Sequence, residues 1–384
     1  MLILLEQNMG ELKGAALVGR DIAFALQNSE YPLTVVSQQK PEVLNYHDFL
    51  WLPMPLEPGF PRPAGFDFPQ NVIKWSIVKV EDAYKKYRLR NACAELVFIN
   101  RMNKISERIG SMISGKKIQI IHSEPERFSG GFFSQDMKWG IGVLQERDCL
   151  VFVSSRCRHK WMKATGLNIP AYHIPNCARE ERALPLLEQS KNAVRERLGF
   201  TQKDFIAVCP ATLYARKNQG LLVDMFAHFR EKAPGLKLYL IGLKGEGGNK
   251  ILEKIEVSPF KHDIIYLGPL QDMLDYIYAA DFLVLPSLSE ALPLVVLEAM
   301  VLKTPVIASD VGGLAELVDD KETGFLFSLD RPEDLVTAVS SIYSNQELRK
   351  KMAEKASQKY WANFSRDLLV KRYNKLVNEL MAKF

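Results

Sequence analysis

Two carboxylates, Glu290 and Glu298, frame the stretch of the chain whose residue types are best suited to chemistry. This stretch, 289–302, reads SEALPLVVLEAMVL and follows a short β-type run at 281–286. Strand, turn and helix in this order form the place where open α/β sheets bind ligands. Glu298 is the single charge between residues 291 and 302, and a carboxylate in so apolar a segment is costly unless something hydrogen-bonds to it.

The start of the predicted helix offers a second kind of chemistry, the binding of an anion. Pro293 suits the first helical position, because its missing N–H would have had no partner there. The free amides of Leu294 and Val295 then lie at the positive end of the helix, and Glu298 lies near the same face. The segment predicts a nucleotide clamp, with the amides for a diphosphate and Glu298 for ribose hydroxyls.

Structural alternatives stay open for both carboxylates. Ser287 and Glu290 match the S-x-x-E capping box, so that Glu290 could serve only to start the helix. Glu298 could be a structural carboxylate paired with an arginine of the core, because buried charges find partners.

Two adjacent bases, Arg216 and Lys217, stand in the loop that follows a predicted strand near 205–211. They could neutralise a leaving diphosphate without a metal ion, or they could be a solvated pair. No Asp-x-Asp motif stands near a strand end, so we expect no metal dependence. The glycines of GLKGEGG at 242–248 predict a flexible turn and not a phosphate loop, because the Gly-Lys-Ser/Thr ending is absent.

The N-terminal half adds two weaker signals. His122 ends a predicted strand at 117–121, where a parallel sheet faces its substrate crevice, although most histidines have no catalytic task. Gly10 and Gly14 stand between a strand at 2–5 and a helix at 13–26, where the backbone could approach a phosphate or a sugar. An ordinary turn would explain these glycines equally well.

Composition narrows the class of protein. The chain has 384 residues, which favours two domains, and 47% of them are apolar, as in an ordinary globular protein. Its five cysteines form no C-x-x-C pair, which indicates a reducing compartment and argues against a zinc site. We expect neither a leader peptide nor a membrane span, because the apolar runs are too short.

The net charge of +5 lies entirely in the first half of the chain. Residues 1–176 hold 22 Lys and Arg against 17 Asp and Glu, whereas residues 177–384 hold 28 of each kind. The excess of positive charge favours an acidic substrate or an anionic membrane surface as the partner of the first half. A solvated basic face without a partner would explain the charge equally well. The proline-rich and aromatic segment 51–69 predicts a binding loop, and YKKYRLR at 84–90 suits a phosphate-bearing or membrane-bound acceptor. We expect no nucleic acid, because no motif for it accompanies the bases.

Strands and helices alternate along both halves, which predicts an α/β fold of two doubly wound, Rossmann-like domains. The predicted strands of the first half are 2–5, 33–36, 95–99, 117–121 and, as the last one, 149–154. Those of the second half lie near 205–211, 237–242, 264–267, 281–286, 305–308 and 325–327. The turn at 174–176 and the charged run after it predict a boundary between a domain of residues 1–176 and a domain of residues 177–364.

At this point the residues resemble a known family, the family 4 retaining glycosyltransferases of GT-B fold, in which two such domains face a central cleft. Glu290 and Glu298, with seven residues between them, match the family's E-x7-E signature. Further blocks stand in the family's order: LYARKN, YAADFLVLPS, TPVIASDVGGLAELV and TGFLF. The resemblance covers nearly the full length and is most specific between residues 210 and 327. It implies that residues 1–176 form an N-terminal acceptor-side domain and that residues 177–364 form the domain that binds the sugar nucleotide. It also implies that a final helix at about 365–384 packs back on the first domain.

The resemblance implies a role for each candidate residue. Glu298 would hold the ribose of a sugar nucleotide, and Lys217, with Arg216, the diphosphate. His122 would meet the donor sugar, and Gly14 falls where the family has its N-terminal glycine loop. Contacts with the donor sugar and phosphates would come from Glu290, Ala291, Leu292, Leu294 and Val295.

The sequence also departs from the family pattern. Ala211 and Thr212 replace the usual glycine and arginine before the lysine, and Asn176-Cys177 replaces an Asn-Gly turn. Lys13-Gly14 stands where the family has paired glycines. These departures leave room for an unusual donor or acceptor.

The resemblance implies a metal-independent hexosyltransferase that uses a nucleoside diphosphate sugar, UDP-linked, and retains the anomeric configuration. We expect a glycan or lipid-linked acceptor for polysaccharide biosynthesis, and a cytoplasmic protein with a peripheral contact at the inner face of the membrane. The alternatives are a sugar-nucleotide epimerase or phosphorylase on the same fold, and a non-catalytic nucleotide-sugar-binding protein.

Overall fold

The fold is taken from a computed structural model that describes residues 2–5, 14–27, 29–37, 49–53, 93–100, 113–125 and 148–383. The chain forms two compact units. The first contains Met1–Val153, Cys157–Pro175 and Asp367–Phe384, and the second contains Ser154–Arg156 and Asn176–Arg366. The roles predicted for the two halves stay predictions.

The first unit is built on a parallel sheet of seven strands within the described residues. Its strands are β1 (Leu2–Leu5), β2 (Leu33–Ser37), β3 (Phe49–Pro53), β4 (Cys93–Ile99), β5 (Ser114–Ile121), β6 (Cys149–Phe152) and β7 (Ala171–His173). Their order in space is β3-β2-β1-β4-β5-β6-β7. The order reverses between β1 and β4, and such a switch point is where doubly wound sheets bind ligands.

Two strands of this sheet are absent from the prediction. Phe49–Pro53 forms β3 at the edge of the sheet, where Pro53 can end a strand because an edge needs no further donor. Ala171–His173 forms β7 at the other edge, so the strand at 149–152 is not the last one of the unit. Residues 54–69 and the basic run 84–90 lie outside the described residues.

Three described helices accompany this sheet, namely Gly14–Gln27, Ser155–Thr165 and Arg366–Met381. The last of these lies almost entirely in the first unit. Its Tyr373 ring meets Phe98 of β4 edge-on at 6.2 Å, and its Glu379 accepts a hydrogen bond of 2.9 Å from Tyr172 Oη of β7.

The second unit contains a parallel sheet of six strands. They are β8 (Phe205–Pro210), β9 (Leu236–Ile241), β10 (Ile264–Gly268), β11 (Phe282–Leu285), β12 (Val306–Ser309) and β13 (Phe325–Phe327). The order β10-β9-β8-β11-β12-β13 reverses between β8 and β11. The predicted doubly wound α/β architecture is confirmed.

Helices connect these strands and continue the chain beyond them. They are Glu180–Leu187, Lys191–Arg197, Gln219–Lys232, Gly248–Glu256, Met273–Ala279, Leu294–Val301, Leu314–Leu317, Glu333–Ser344 and Gln346–Asn363. The helix Leu294–Val301 is apolar on nearly every side and packs against 346–363 and 180–187, as such a composition requires. Within the described parts of the chain, no helix has both the length and the apolar character needed to cross a membrane.

Candidate active site

The candidate site lies at the switch point of the second sheet, where the loops after β8 and β11 leave neighbouring strands. The loop after β8 tightens into a 3₁₀ turn at Ala215–Lys217, which carries both predicted bases. Asn218 follows with a left-handed φ of 55°, a conformation that asparagine tolerates better than most residues, and Gln219 begins the next helix. The parallel topology therefore brings Arg216 and Lys217 to the segment that contains Glu290.

A charged cluster forms around Glu290, which is only 5% exposed. Lys217 Nζ forms an ion pair with Glu290 Oε1, and Ser287 Oγ donates a hydrogen bond of 2.7 Å to the same oxygen. Arg216 Nη1 lies 3.8 Å from Oε2. Two cations face one carboxylate, so that the cluster keeps a net positive charge to which an anion would be attracted.

Backbone contacts fix the segment 286–293 to the loop after β8. Arg216 Nη1 donates to the carbonyl of Ser289 at 2.5 Å, and the amide of Leu288 donates to the carbonyl of Arg216 at 2.8 Å. Ser309 Oγ at the end of β12 donates to Ser287 O at 2.6 Å. The carboxyl ends of three neighbouring strands, β8, β11 and β12, are thus joined by one hydrogen-bond network.

Gly313 brings a fourth element against the same segment. Its amide donates to the carbonyl of Glu290 at 2.9 Å. A Cβ at position 313 would lie 1.8 Å from the carbonyl oxygen of Ala291, so only glycine fits this approach. Ala291 and Leu292 are 7% and 5% exposed, and Asn176 Nδ2 donates to the carbonyl of Leu292 at 3.3 Å.

The helix begins at Leu294, and Pro293 is its N-cap with an extended backbone. The prediction that Pro293 occupies the first helical position is therefore wrong by one residue. Leu294 and Val295 still supply the first helical amides, which lack intrahelical acceptors, whereas the amide of Val296 already bonds to Pro293 O at 3.2 Å. Their place at a helix N-terminus suits an anion.

The capping-box interpretation of Ser287 and Glu290 is wrong as well. No helix begins beside Ser287, because the next one starts at Leu294. The serine hydroxyl instead donates to the Glu290 carboxylate, which is already paired with Lys217. Glu290 is thus a member of the charged cluster and not a helix cap.

Glu298 lies in the buried helix with 1% of its surface exposed. Arg179 Nε contacts its Oε1 at 2.5 Å, so the carboxylate does have the core arginine that the structural alternative requires. Its Oε2 is buried and has no hydrogen-bond partner among the described residues. Burial raises the pKa of Glu298, against the opposing effect of the Arg179 charge. The ribose role stays a prediction, for which one oxygen remains available.

The candidates of the first unit lie at the switch point of its sheet, after β1, or next to it, after β5. His122 follows β5, and its Nε2 lies 2.7 Å from Oδ1 of the buried Asn100, which follows β4. Gly14 is the first residue of the helix after β1, and Gly10 lies outside the described residues. The catalytic role of His122 and the donor contact of Gly14 stay predictions.

The glycine-rich turn after β9 is closely packed at its first position. Gly242 has φ 151°, and a Cβ there would lie 2.5 Å from the carbonyl oxygen of Ala211. Gln219 Nε2, at the start of the next helix, donates to the carbonyl of Thr212 at 2.9 Å. This contact fixes the backbone at the position where the family usually has an arginine. A close backbone approach, rather than flexibility alone, explains this glycine.

Several residues beside the candidates are absent from the prediction, namely Asn100 in the first unit, and Asn176, Arg179, Ser309 and Gly313 in the second. Asn100 could have been predicted from the sequence, because it directly follows a strand, as His122 does. Gly313 stands in a glycine pair after a strand, which is a common sign of a close approach. Within the described ranges, no group of three or more His, Cys, Asp and Glu side chains could hold a metal ion.

Comparison with known proteins fits this geometry. Residues 190–359 match the family model described as glycosyl transferases group 1. Putative glycosyltransferase EpsD of Bacillus subtilis is 30% identical over 216 residues, which are 54% of this chain and 54% of EpsD. The chain thus spans about half the length of the curated relative.

Two solved structures share the whole fold. Sucrose-phosphate synthase of Thermosynechococcus elongatus superposes with a TM-score of 0.78 at 18% identity, covering 100% of this chain and 99% of the other. HepE of Anabaena in complex with UDP-glucose gives a TM-score of 0.75 at 18% identity over the same shares. Identity this low establishes the fold alone. The chain therefore has a GT-B fold, and its residues 190–359 match the model of the group 1 glycosyl transferases.

Proposed function

We propose that the protein transfers a hexose from a UDP-linked sugar to a hydroxyl of a glycan or lipid-linked glycan, and that it retains the anomeric configuration. The ion pair between Lys217 and Glu290 carries this proposal, because it stands at the switch point of the sheet beside the start of a helix. Positive side chains and free amides there suit a diphosphate.

Glycosyl transfer breaks the bond between the anomeric carbon and the diphosphate. Negative charge grows on the departing phosphate, so cations fixed beside it stabilise the transition state more than the ground state. Lys217 and Arg216 would supply this charge, and the amides of Leu294 and Val295 would donate to the phosphate oxygens. The proposed mechanism needs no metal ion.

Glu290 would exchange partners when the donor binds. Its carboxylate accepts hydrogen bonds from Lys217 and Ser287. A diphosphate would compete for the lysine, and Glu290 together with the backbone at Ala291 and Leu292 would then be available to the hydroxyls of the donor sugar. The close packing of Gly313 supports this role, because it fixes the carbonyl of Glu290.

Glu298 would receive the ribose. A carboxylate oxygen that is buried and unpartnered is unusual, and a ligand hydroxyl is one explanation for it. His122, held by Asn100, would meet the donor sugar, with Gly14 close to it. These assignments rest on the resemblance of the motifs and on the strand ends at which the residues lie.

The choice of donor is supported by HepE, whose structure contains UDP-glucose. The basic first half of the sequence favours a phosphate-bearing or lipid-linked acceptor at the cytoplasmic face of a membrane. Membership of family 4 is supported by the E-x7-E spacing of Glu290 and Glu298.

Calorimetric titration with UDP-, GDP- and ADP-sugars tests the donor without knowledge of the acceptor. We expect a UDP-sugar to bind most tightly. Release of UDP only after an acceptor glycan is added would support transfer, whereas conversion of the sugar without an acceptor would indicate an epimerase. Binding without any turnover would indicate a non-catalytic binding protein. Parental turnover in Glu290→Ala and Lys217→Ala would contradict the site assignment.

A further inference from the structure

The ion pair between Arg179 and Glu298 is buried on both sides. The arginine side chain is 10% exposed, the glutamate side chain is 1% exposed, and Arg179 Nε lies 2.5 Å from Glu298 Oε1. Removing two charges from water costs free energy that their attraction only partly returns, so such a pair is weak evidence for a purely stabilising role.

The two carboxylate oxygens of Glu298 differ in their hydrogen-bond partners. Oε1 receives Arg179, while Oε2 is buried without a hydrogen-bond partner in the described parts of the chain. A carboxylate that used both oxygens on the guanidinium would form the stronger, bidentate pair. The observed single contact leaves one oxygen in a fixed place for another donor.

The backbone on both sides of Arg179 is held by other elements. The amide of Ala178 donates to Tyr360 Oη at 3.0 Å, and that hydroxyl donates to Glu180 Oε1 at 2.6 Å. Glu180 Oε1 also accepts from the amide of Arg366 at 2.7 Å. Because both neighbours of Arg179 are fixed, its guanidinium has little freedom to follow a moving carboxylate.

We propose that Arg179 is a positioning residue for ribose recognition: it holds Oε1 of Glu298 so that Oε2 accepts a hydrogen bond from a ribose hydroxyl of the donor. This inference rests on the proposed function, because it requires that the donor is a nucleotide sugar. It assigns to Arg179 control over the discrimination between ribose and deoxyribose. The arginine acts through Glu298 and does not touch the nucleotide.

The test compares the affinity of UDP with that of 2′,3′-dideoxy-UDP by calorimetry. The GDP and ADP pairs replace them if the parent binds another base more tightly. The parent should prefer the ribose form by about tenfold or more, the value of one hydrogen bond to a charged group. Arg179→Met should reduce this preference to about threefold or less, and Arg179→Lys should restore part of it.

A double-mutant cycle separates positioning from a merely structural role. In the Glu298→Gln background the carboxylate is gone, so adding Arg179→Met should change UDP affinity by less than about twofold. The double variant carries neither charge, so it avoids the unpaired buried carboxylate that could prevent Arg179→Met alone from folding. Arg197→Met, at an exposed pair with Asp275, is the matched control and should bind as the parent does.

Each outcome has one meaning. An undiminished ribose preference in Arg179→Met, or an equal loss of affinity in the Glu298→Gln background, overturns the positioning role and leaves the proposed function intact. A parent that binds UDP and 2′,3′-dideoxy-UDP equally overturns the ribose role of Glu298 and this inference with it. A parent that binds no nucleoside diphosphate refutes the proposed function itself.

Discussion

Replacing Gly313 by alanine should disturb the candidate site through one methyl group. The backbone at Gly313 has φ −74°, which any residue adopts, so the substitution introduces no conformational strain of its own. The added Cβ would lie 1.8 Å from the carbonyl oxygen of Ala291, whereas real Cβ contacts stay above 3.0 Å. The segment that carries Glu290 must therefore move by at least 1.2 Å, the difference between these two distances.

The cost has two parts. Forcing a methyl group into a packed interior costs about 1–3 kcal/mol. The same movement breaks the hydrogen bond from the Gly313 amide to Glu290 O, which contributes about 0.5–1.5 kcal/mol. We expect a loss of about 2–4 kcal/mol in the free energy of unfolding, or a fall in Tm on the order of 10 °C for a unit of this size.

Differential scanning calorimetry measures the stability, and titration with UDP measures the site. UDP affinity should fall by about tenfold, because Glu290 and the amides after it lose their positions. Gly220→Ala is the matched control: its Cβ would meet only Lys254 Nζ at 3.8 Å, and alanine favours the helix it occupies. Parental Tm and UDP affinity in Gly313→Ala would refute the reasoning.

Three further predictions concern separate features. Lys217→Met should weaken UDP binding by about 10- to 100-fold in a calorimetric titration, since it removes a charged donor and leaves Glu290 with only the more distant Arg216; unchanged affinity would exclude Lys217 from the phosphate site. Burial raises the pKa of the Cys209 thiol to about 12, so iodoacetamide at pH 8 should label it, by mass spectrometry, only after unfolding. The stability that goes with this raised pKa is present below the ordinary thiol value and is lost as the pH rises towards about 12. Asn345 accepts the Leu348 amide at 2.9 Å as a helix N-cap, and Asn345→Ala should lower the free energy of unfolding by about 1 kcal/mol in urea denaturation.

The central strands could be predicted because β6, β8, β11 and β12 are buried at every position, and therefore on both faces. Such strands appear as short, continuous apolar runs, and β8 is buried at every position from Phe205 to Pro210. The predicted strands of the second half agree with β8–β13 to within one or two residues. The edge strands β3 and β7 are harder to recognise in the sequence, because β3 ends in a proline and β7 has only three residues.

The bases and carboxylates of the site could be predicted from local motifs, but their partners could not. Lys217 and Glu290 are 73 positions apart, and Arg179 and Glu298 are 119 apart. Such pairs depend on the order of strands in the sheet and on the direction of each side chain. The sequence therefore left open whether Glu298 binds ribose or a core arginine. The structure shows that Arg179 contacts only one of the two carboxylate oxygens of Glu298.

The same limit explains the error at Ser287. Its spacing to Glu290 is that of a capping box, and only the three-dimensional path shows that the helix starts later, at Leu294. Three residues outside the helix, from Ala291 to Pro293, separate the charged cluster from the first helical amides. Under the proposed function, the diphosphate would contact the helical amides and the sugar would contact the residues before them.

A crystal structure with bound UDP-glucose tests the central claim most directly. We predict that its diphosphate accepts hydrogen bonds from the amides of Leu294 and Val295 and lies against Lys217, with a ribose hydroxyl on Oε2 of Glu298. A nucleotide bound away from the start of this helix, or a ribose that does not reach Glu298, would contradict the account.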